Sequence, residues 1–198
     1  TGNGAIDALT VTAANCEFGG IDFAGPSTDA QTAQVNIAGA KFRLFDVSMI
    51  GSVGTQNCVD LITITADGDD ALIEGLRAYN TVVECPSGIK LEGAATNIEI
   101  RDFFIYDSIG FTNGAIYDAA IATGVFIHHG VCMNAKAATV ALNFVANSLG
   151  VCSFVHVVGR HTTLASNVVA GTGMNFFECR VVEEAALNGA VIPAVDTD

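Results

Sequence analysis

Positive charge is scarce in this 198-residue chain: eight Lys and Arg stand against 21 Asp and Glu, a formal net charge of −13. A surface of that sign repels a phosphate backbone, so direct nucleic-acid binding is not expected, and the same charge favours solubility over lateral aggregation. Tryptophan is absent and only 3 prolines occur, so little interrupts extended structure. No run of 18 uncharged apolar residues exists, which removes a membrane-spanning helix from the expected elements. The start Thr1-Gly2-Asn3-Gly4 is neither basic nor apolar, so no secretory leader is expected there, and a small first residue fits loss of an initiator Met. CxxC and Cys/His spacings are missing among the 6 cysteines. Neither zinc nor a disulfide framework is therefore expected, and free thiols fit folding in a reducing cytoplasm.

What the chain does contain is a repeated strand-like phrase. An apolar residue is followed by others two, five and seven positions on, and the phrase returns about every 26 residues. Its copies are Cys16, Phe18, Ile21, Phe23; Phe42, Leu44, Val47, Met49; Ala71, Ile73, Leu76, Ala78; Ile98, Ile100, Phe103, Ile105; Val125, Ile127, Gly130, Cys132; Cys152, Phe154, Val157, Gly159; and Met174, Phe176, Cys179, Val181. The alternation slips by one residue midway, which predicts a corner that keeps both halves facing one interior. A second alternating segment precedes each copy: Leu9, Val11; Val35, Ile37; Ile62, Ile64; Ile89, Leu91; Ile116, Ala119; Leu142, Phe144; and Leu164, Val168.

Each repeat thus supplies about three short strands, and like strands are expected to pair in parallel with the next repeat. The expected fold is all-β, a single-stranded right-handed parallel β-helix of about seven rungs, on the order of 34 Å long at ~4.8 Å per rung. Apolar content of 51% and mean hydropathy of +0.47 suffice for one continuous core. Residues 1–189 are expected to form that domain and residues 190–198 a C-terminal cap or arm, with Ala190 to Val195 covering an open end. Cys16, Cys132, Cys152 and Cys179 fall on inward positions, and Cys58 and Cys85 are placed to stack as neighbours.

Any chemistry falls to the outward positions. Asp67, Asp69 and Asp70 sit in a turn, where Asp and Gly serve the backbone, and the spacing of a calcium loop is missing. An outward column, Gly20, Asp46, Gly75, Asp102, His129, His156 and Glu178, is expected to stack Asp102, His129, His156 and Glu178 as a ladder able to titrate or take a metal, although a solvated charge ladder is the simpler reading. A neighbouring column, Asp22, Ser48, Arg77, Phe104, Val131, Val158 and Arg180, carries an apolar stripe. Phe104, Val131 and Val158, joined by Val155 and Phe177, are the candidate contact residues for an oligomer or a capsid. A Thr-x-Thr ice-binding array fails, because Thr10, Thr12 and Thr63, Thr65 are interrupted by Asn36, Ala38 and followed by Lys90, Glu92. No catalytic residue, metal or cofactor is assigned.

Through phrases such as Val11-Thr12-Ala13-Ala14-Asn15-Cys16, the stretch from Ile64 to Leu76, and Ala95-Thr96-Asn97-Ile98-Glu99-Ile100-Arg101-Asp102, the chain resembles a loose family of short β-helix proteins from tailed bacteriophages, found as virion structural components. The resemblance implies a non-enzymatic capsid decoration or cement protein, commonly a homotrimer, located on the virion after synthesis in the host cytoplasm. Its partners would be itself and capsid or other virion proteins, with no nucleic acid and no membrane. The alternative is a tailspike-like carbohydrate-binding or polysaccharide-cleaving module using Asp102, His129, His156 and Glu178.

Overall fold

A short strand with one apolar edge is stable only when that edge faces another sheet, and a repeating chain meets this need by stacking on itself. The computed structural model describes residues 7–25, 31–51, 58–80, 83–135, 140–160, 169–170, 173–184 and 195–196. Among them every regular element is a β-strand, and equivalent segments pair in parallel from one turn of the chain to the next. The result is a parallel β-solenoid of about five turns.

The first face is a 7-stranded sheet of Leu9–Val11, Gln31–Ile37, Cys58–Thr65, Ser87–Glu92, Gly114–Asp118, Leu142–Asn143 and Val169–Ala170. The second begins with Glu17–Gly19, Arg43–Phe45 and Leu72–Glu74, and the third with Asp22–Ala24, Ser48–Ile50 and Arg77–Asn80. In Glu99–Asp107, Thr123–Asn134 and Leu149–Arg160 one bent strand crosses both faces. Met174–Phe177 and Arg180–Glu184 separate them again.

The corner expected from the slip is present in each copy. Gly20, Asp46, Gly75, Asp102, His129, Phe154 and Glu178 all have φ between 49° and 67°, the left-handed region that turns a chain sharply between two extended halves. A second left-handed corner precedes the phrase at Asn15, Lys41, Asp70, Asn97 and Gly124. Asn97 Nδ2 donates to Asp70 Oδ1 at 3.1 Å, tying one such corner to the next.

Phe154 stands in the first corner series where the sequence placed His156, and this corrects one copy. Val125, Ile127, Gly130 and Cys132 are in register with Gly150, Cys152, Val155 and Val157, two residues earlier than the apolar pattern suggests. Gly150 hid the register: the backbone of Val125 lies where its Cβ would be, so the position holds the one residue without a side chain. Two assignments on the first face also change. Asp118, not Ala119, is in register with Leu91 and is buried, and Val169 is in register with Leu142, while Leu164 and Val168 lie outside the described residues.

The core is one cluster running the length of the stack, from Val35 and Phe42 to Met174 and Cys179. Cys132, Cys152 and Cys179 are inside it and Cys16 is half-buried; all 6 thiols are free. Burial drives the Cys132 thiol pKa up. Cys58 and Cys85 do stack, each thiol donating to the carbonyl two residues ahead, Asp60 and Ser87. Another buried ladder, Asn80, Asp107 and Asn134, holds loops to the stack. Asn80 Nδ2 donates to Asp107 Oδ2 at 2.9 Å, Asp107 Oδ1 accepts from the amides of Ile109 and Gly110, and Asn134 Oδ1 accepts from the Phe111 amide. Val195–Asp196 pairs antiparallel with Arg180 and Val181; 190–194 and 197–198 are outside the described residues.

Candidate functional site

Alternation along the third face leaves two outward columns. One runs Asp22, Ser48, Arg77, Phe104, Val131, His156 and Arg180. The other runs Ala24, Ile50, Tyr79, Tyr106, Met133, Val158 and Val182. Tyr79 and Phe104 touch across the columns, with ring centroids 5.7 Å apart. The result is a broad apolar strip, because side chains two apart on a strand share a face and the solenoid repeats them at each turn.

The structure splits the five residues expected to form a stripe. Phe104 and Val131 are direct neighbours. Val158 lies in the adjoining column beside Met133, because the corrected register puts His156 next to Val131. Val155 points into the core at 0% exposure and leaves the surface. Phe177 belongs to the second face, where Phe126, Leu149 and Phe177 are 50%, 54% and 57% exposed, beside the corner residue Phe154 at 42%. The column from Ile50 to Val182 was missed by the sequence reading, although its residues stand two positions past Ser48, Arg77, Phe104 and Val131.

The corner between these faces carries the polar groups. A cleft of about 390 Å³ is lined by Asp22, Asp46, Val47, Ser48, Gly75, Arg77 and Asp102. It opens where Gly75 interrupts the column of larger corner residues. An added Cβ there would come 2.6 Å from Asp46 Oδ1, so the carboxylate already uses part of the space. Of the expected ladder, Asp102 lines this cleft and His129 is one turn further on. Phe154 separates His129 from Glu178; the imidazole of His129 stacks on the Phe154 ring at 5.2 Å and 10°. His156 is on the third face.

On the second face an ionic ladder replaces that carboxylate and histidine column. Glu74 Oε1 accepts from Arg43 Nε at 2.7 Å, and Oε2 accepts from Arg101 Nε at 2.9 Å. These bonds, Arg101 first and Arg43 second, hold the Glu74 pKa below the ordinary carboxylate value. Arg101 Nη1 and His128 Nε2 meet at Glu99 Oε1, 3.1 and 3.2 Å away. Arg43 also lies over the Phe45 ring, 4.7 Å from its centroid. Register alone brings these charges together: Arg43 and Phe45 pair with Leu72 and Glu74, and Arg101 pairs with Glu74.

The Asp67, Asp69 and Asp70 cluster divides into separate duties. Asp69 Oδ1 accepts from the Thr96 amide at 2.7 Å and its hydroxyl at 2.9 Å, while Asp70 takes Asn97. Both carboxylates join turns of the backbone. Among the described residues no group of three or more His, Cys, Asp and Glu is disposed to hold a metal, and no helix is long and apolar enough to cross a membrane. Thr10, Asn36, Thr63 and Lys90 form one outward column of the first sheet, so the threonine array is broken in space as in sequence. Compared with family models, curated proteins and solved structures, the chain matches none.

Proposed function

We propose that this chain is a non-enzymatic structural protein whose third face packs against a second copy of itself. The observation that carries the proposal is the strip of Ile50, Tyr79, Tyr106, Met133 and Val158 beside Phe104 and Val131. Asp22 is the sole carboxylate in either column. A chain of charge −13 repels its own copies over most of its surface, so association is favoured where carboxylates are missing and apolar area is continuous.

The resemblance of the repeats to phage virion proteins supports a more specific reading: a capsid decoration or cement protein, acting as a homotrimer on the virion after synthesis in the host cytoplasm, with capsid proteins as further partners. In that reading the solenoid has seven rungs and a right hand, the hand parallel crossovers favour. Quantitative mass spectrometry of purified particles tests it. The chain is expected in a copy number that matches capsid symmetry, and particles lacking it should lose heat resistance. Absence from particles contradicts the virion assignment.

A second reading rests on the corner cleft, where Asp22, Asp46 and Asp102 supply acceptors and Arg77 and Ser48 supply donors. That mixture suits a polyhydroxylated ligand, as in a tailspike-like carbohydrate-binding or polysaccharide-cleaving module. Binding or cleavage of a host polysaccharide that is lost in Asp102→Asn supports it. Failure of wild-type protein to bind or cleave contradicts it.

A further inference from the structure

A two-fold axis brings a sheet face against its own copy in two ways. With the axis along the stack, both stacks run in the same direction and each turn meets its equivalent. With the axis along the strands, one stack is inverted. Each column then meets itself end for end, so its first residue faces the last residue of the copy. The order of residues along the third face separates these cases.

Phe104 is the midpoint of its column, with Asp22, Ser48 and Arg77 on one side and Val131, His156 and Arg180 on the other. Tyr106 is the midpoint of the adjoining column. Inversion about these two residues sets Asp22 opposite Arg180, and the pair occurs twice because an isologous contact repeats each of its members. Both residues are exposed. They stand at opposite ends of the strip, on the order of 29 Å apart at ~4.8 Å per turn, too far to pair within one chain. Between the two ends the apolar residues match: Phe104 and Tyr106 meet their own copies, Ile50 meets Val158, and the Tyr79 ring meets the Met133 sulfur, a favourable contact. Arg77 shares the corner cleft with Asp46 and Asp102 as well as Asp22, so acidic groups of its own chain surround it.

Stacks running in the same direction lack this match. Column then faces column within a turn, and Asp22 and Arg180 lie against the aliphatic Ala24 and Val182, where burial costs each charge its water and supplies no partner. A three-fold bundle of aligned stacks has the same defect.

We propose that the third face associates as an antiparallel two-fold dimer centred on Phe104 and Tyr106, with Asp22 of each copy paired to Arg180 of the other. This pairing rests on the packing face proposed above and fixes the direction in which the second copy lies.

Sedimentation equilibrium of the full chain, with charges exchanged at the two ends of the strip, tests it. The wild-type protein is expected as a dimer. Asp22→Arg and Arg180→Asp should each raise the dissociation constant about tenfold, because like charges then face each other at both ends. The melting temperature of the dilute chain should change little. Combined in one chain, the two substitutions restore opposite charges, and the dissociation constant should return to within about threefold of wild type. A wild-type monomer removes the packing face and the pairing together. A trimer, a dimer indifferent to both single changes, or a combined variant no tighter than the weaker single one overturns the antiparallel pairing and leaves the packing face in place.

Discussion

Two carboxylates of this chain can differ in sign of effect according to what the next turn places above them. Glu74 lies between two guanidiniums that depress its pKa, so its contribution to stability is present at neutral pH and is lost as pH falls through that lowered value. Glu74→Gln should cost about 1 kcal/mol at neutral pH, and thermal melts should show the gap to wild type closing in acid. Asp60, Asp107 and Asp118 behave oppositely: burial raises each pKa above the ordinary value. The folded chain then keeps protons that the unfolded chain releases, and stability falls as pH rises through the raised values. At Asp118, whose carboxylate accepts from the Ser148 hydroxyl and the Ala120 amide, replacement by Asn removes this penalty. Asp118→Asn should melt higher than wild type at neutral pH and lose the advantage below the carboxylate range. A further check at this scale is alkylation of the native protein. Cys16 is half-buried and the other thiols are buried, so one label per chain is expected before unfolding, and rapid labelling of several would contradict the register.

Within the solenoid's repeating elements, volume is exchanged between turns. In the column Val47, Leu76, Phe103, Gly130, Val155, the Phe103 ring occupies the place of a side chain at Gly130. Gly130→Val, which restores the column's common residue type, should therefore destabilise by about 2–3 kcal/mol through overpacking, and Phe103→Leu in the same chain should recover part of that in urea unfolding. Gly75→Ala should cost about 1 kcal/mol, because φ is 65° there. These columns also explain how far the sequence could be read. Parallel pairing, the corner slip and most inward residues were legible because alternation and repeat length act together in every copy. Reading failed at two inward positions that are not apolar. Gly150 concealed the start of its copy and moved Phe154, His156 and Val158 by two positions, and Asp118 was passed over for Ala119. The outer cluster of Arg43, Glu74, Arg101, Glu99 and His128 was out of reach for another reason: its members come from adjacent turns and meet only once register is fixed.

For the whole molecule, the solenoid's regular stacking turns single exposed residues into continuous strips, so surface character is set by columns. The second face is charged at one end and aromatic at the other, the corner is acidic around its cleft, and the third face is apolar through most of its length. Net charge of −13 gives the chain a reason to stay apart from itself wherever that strip is absent. If the chain associates with itself as proposed, the strip is the surface on which that association depends. Sedimentation velocity at micromolar concentration, comparing wild type with Tyr106→Glu and Met133→Glu, tests this most directly. Both substitutions are on half-buried outward positions and should leave the melting temperature of the isolated chain nearly unchanged. A wild-type oligomer is expected, a trimer on the virion reading, that each variant converts to monomer. A wild-type protein that sediments as a monomer, or an oligomer untouched by either charge, would contradict it.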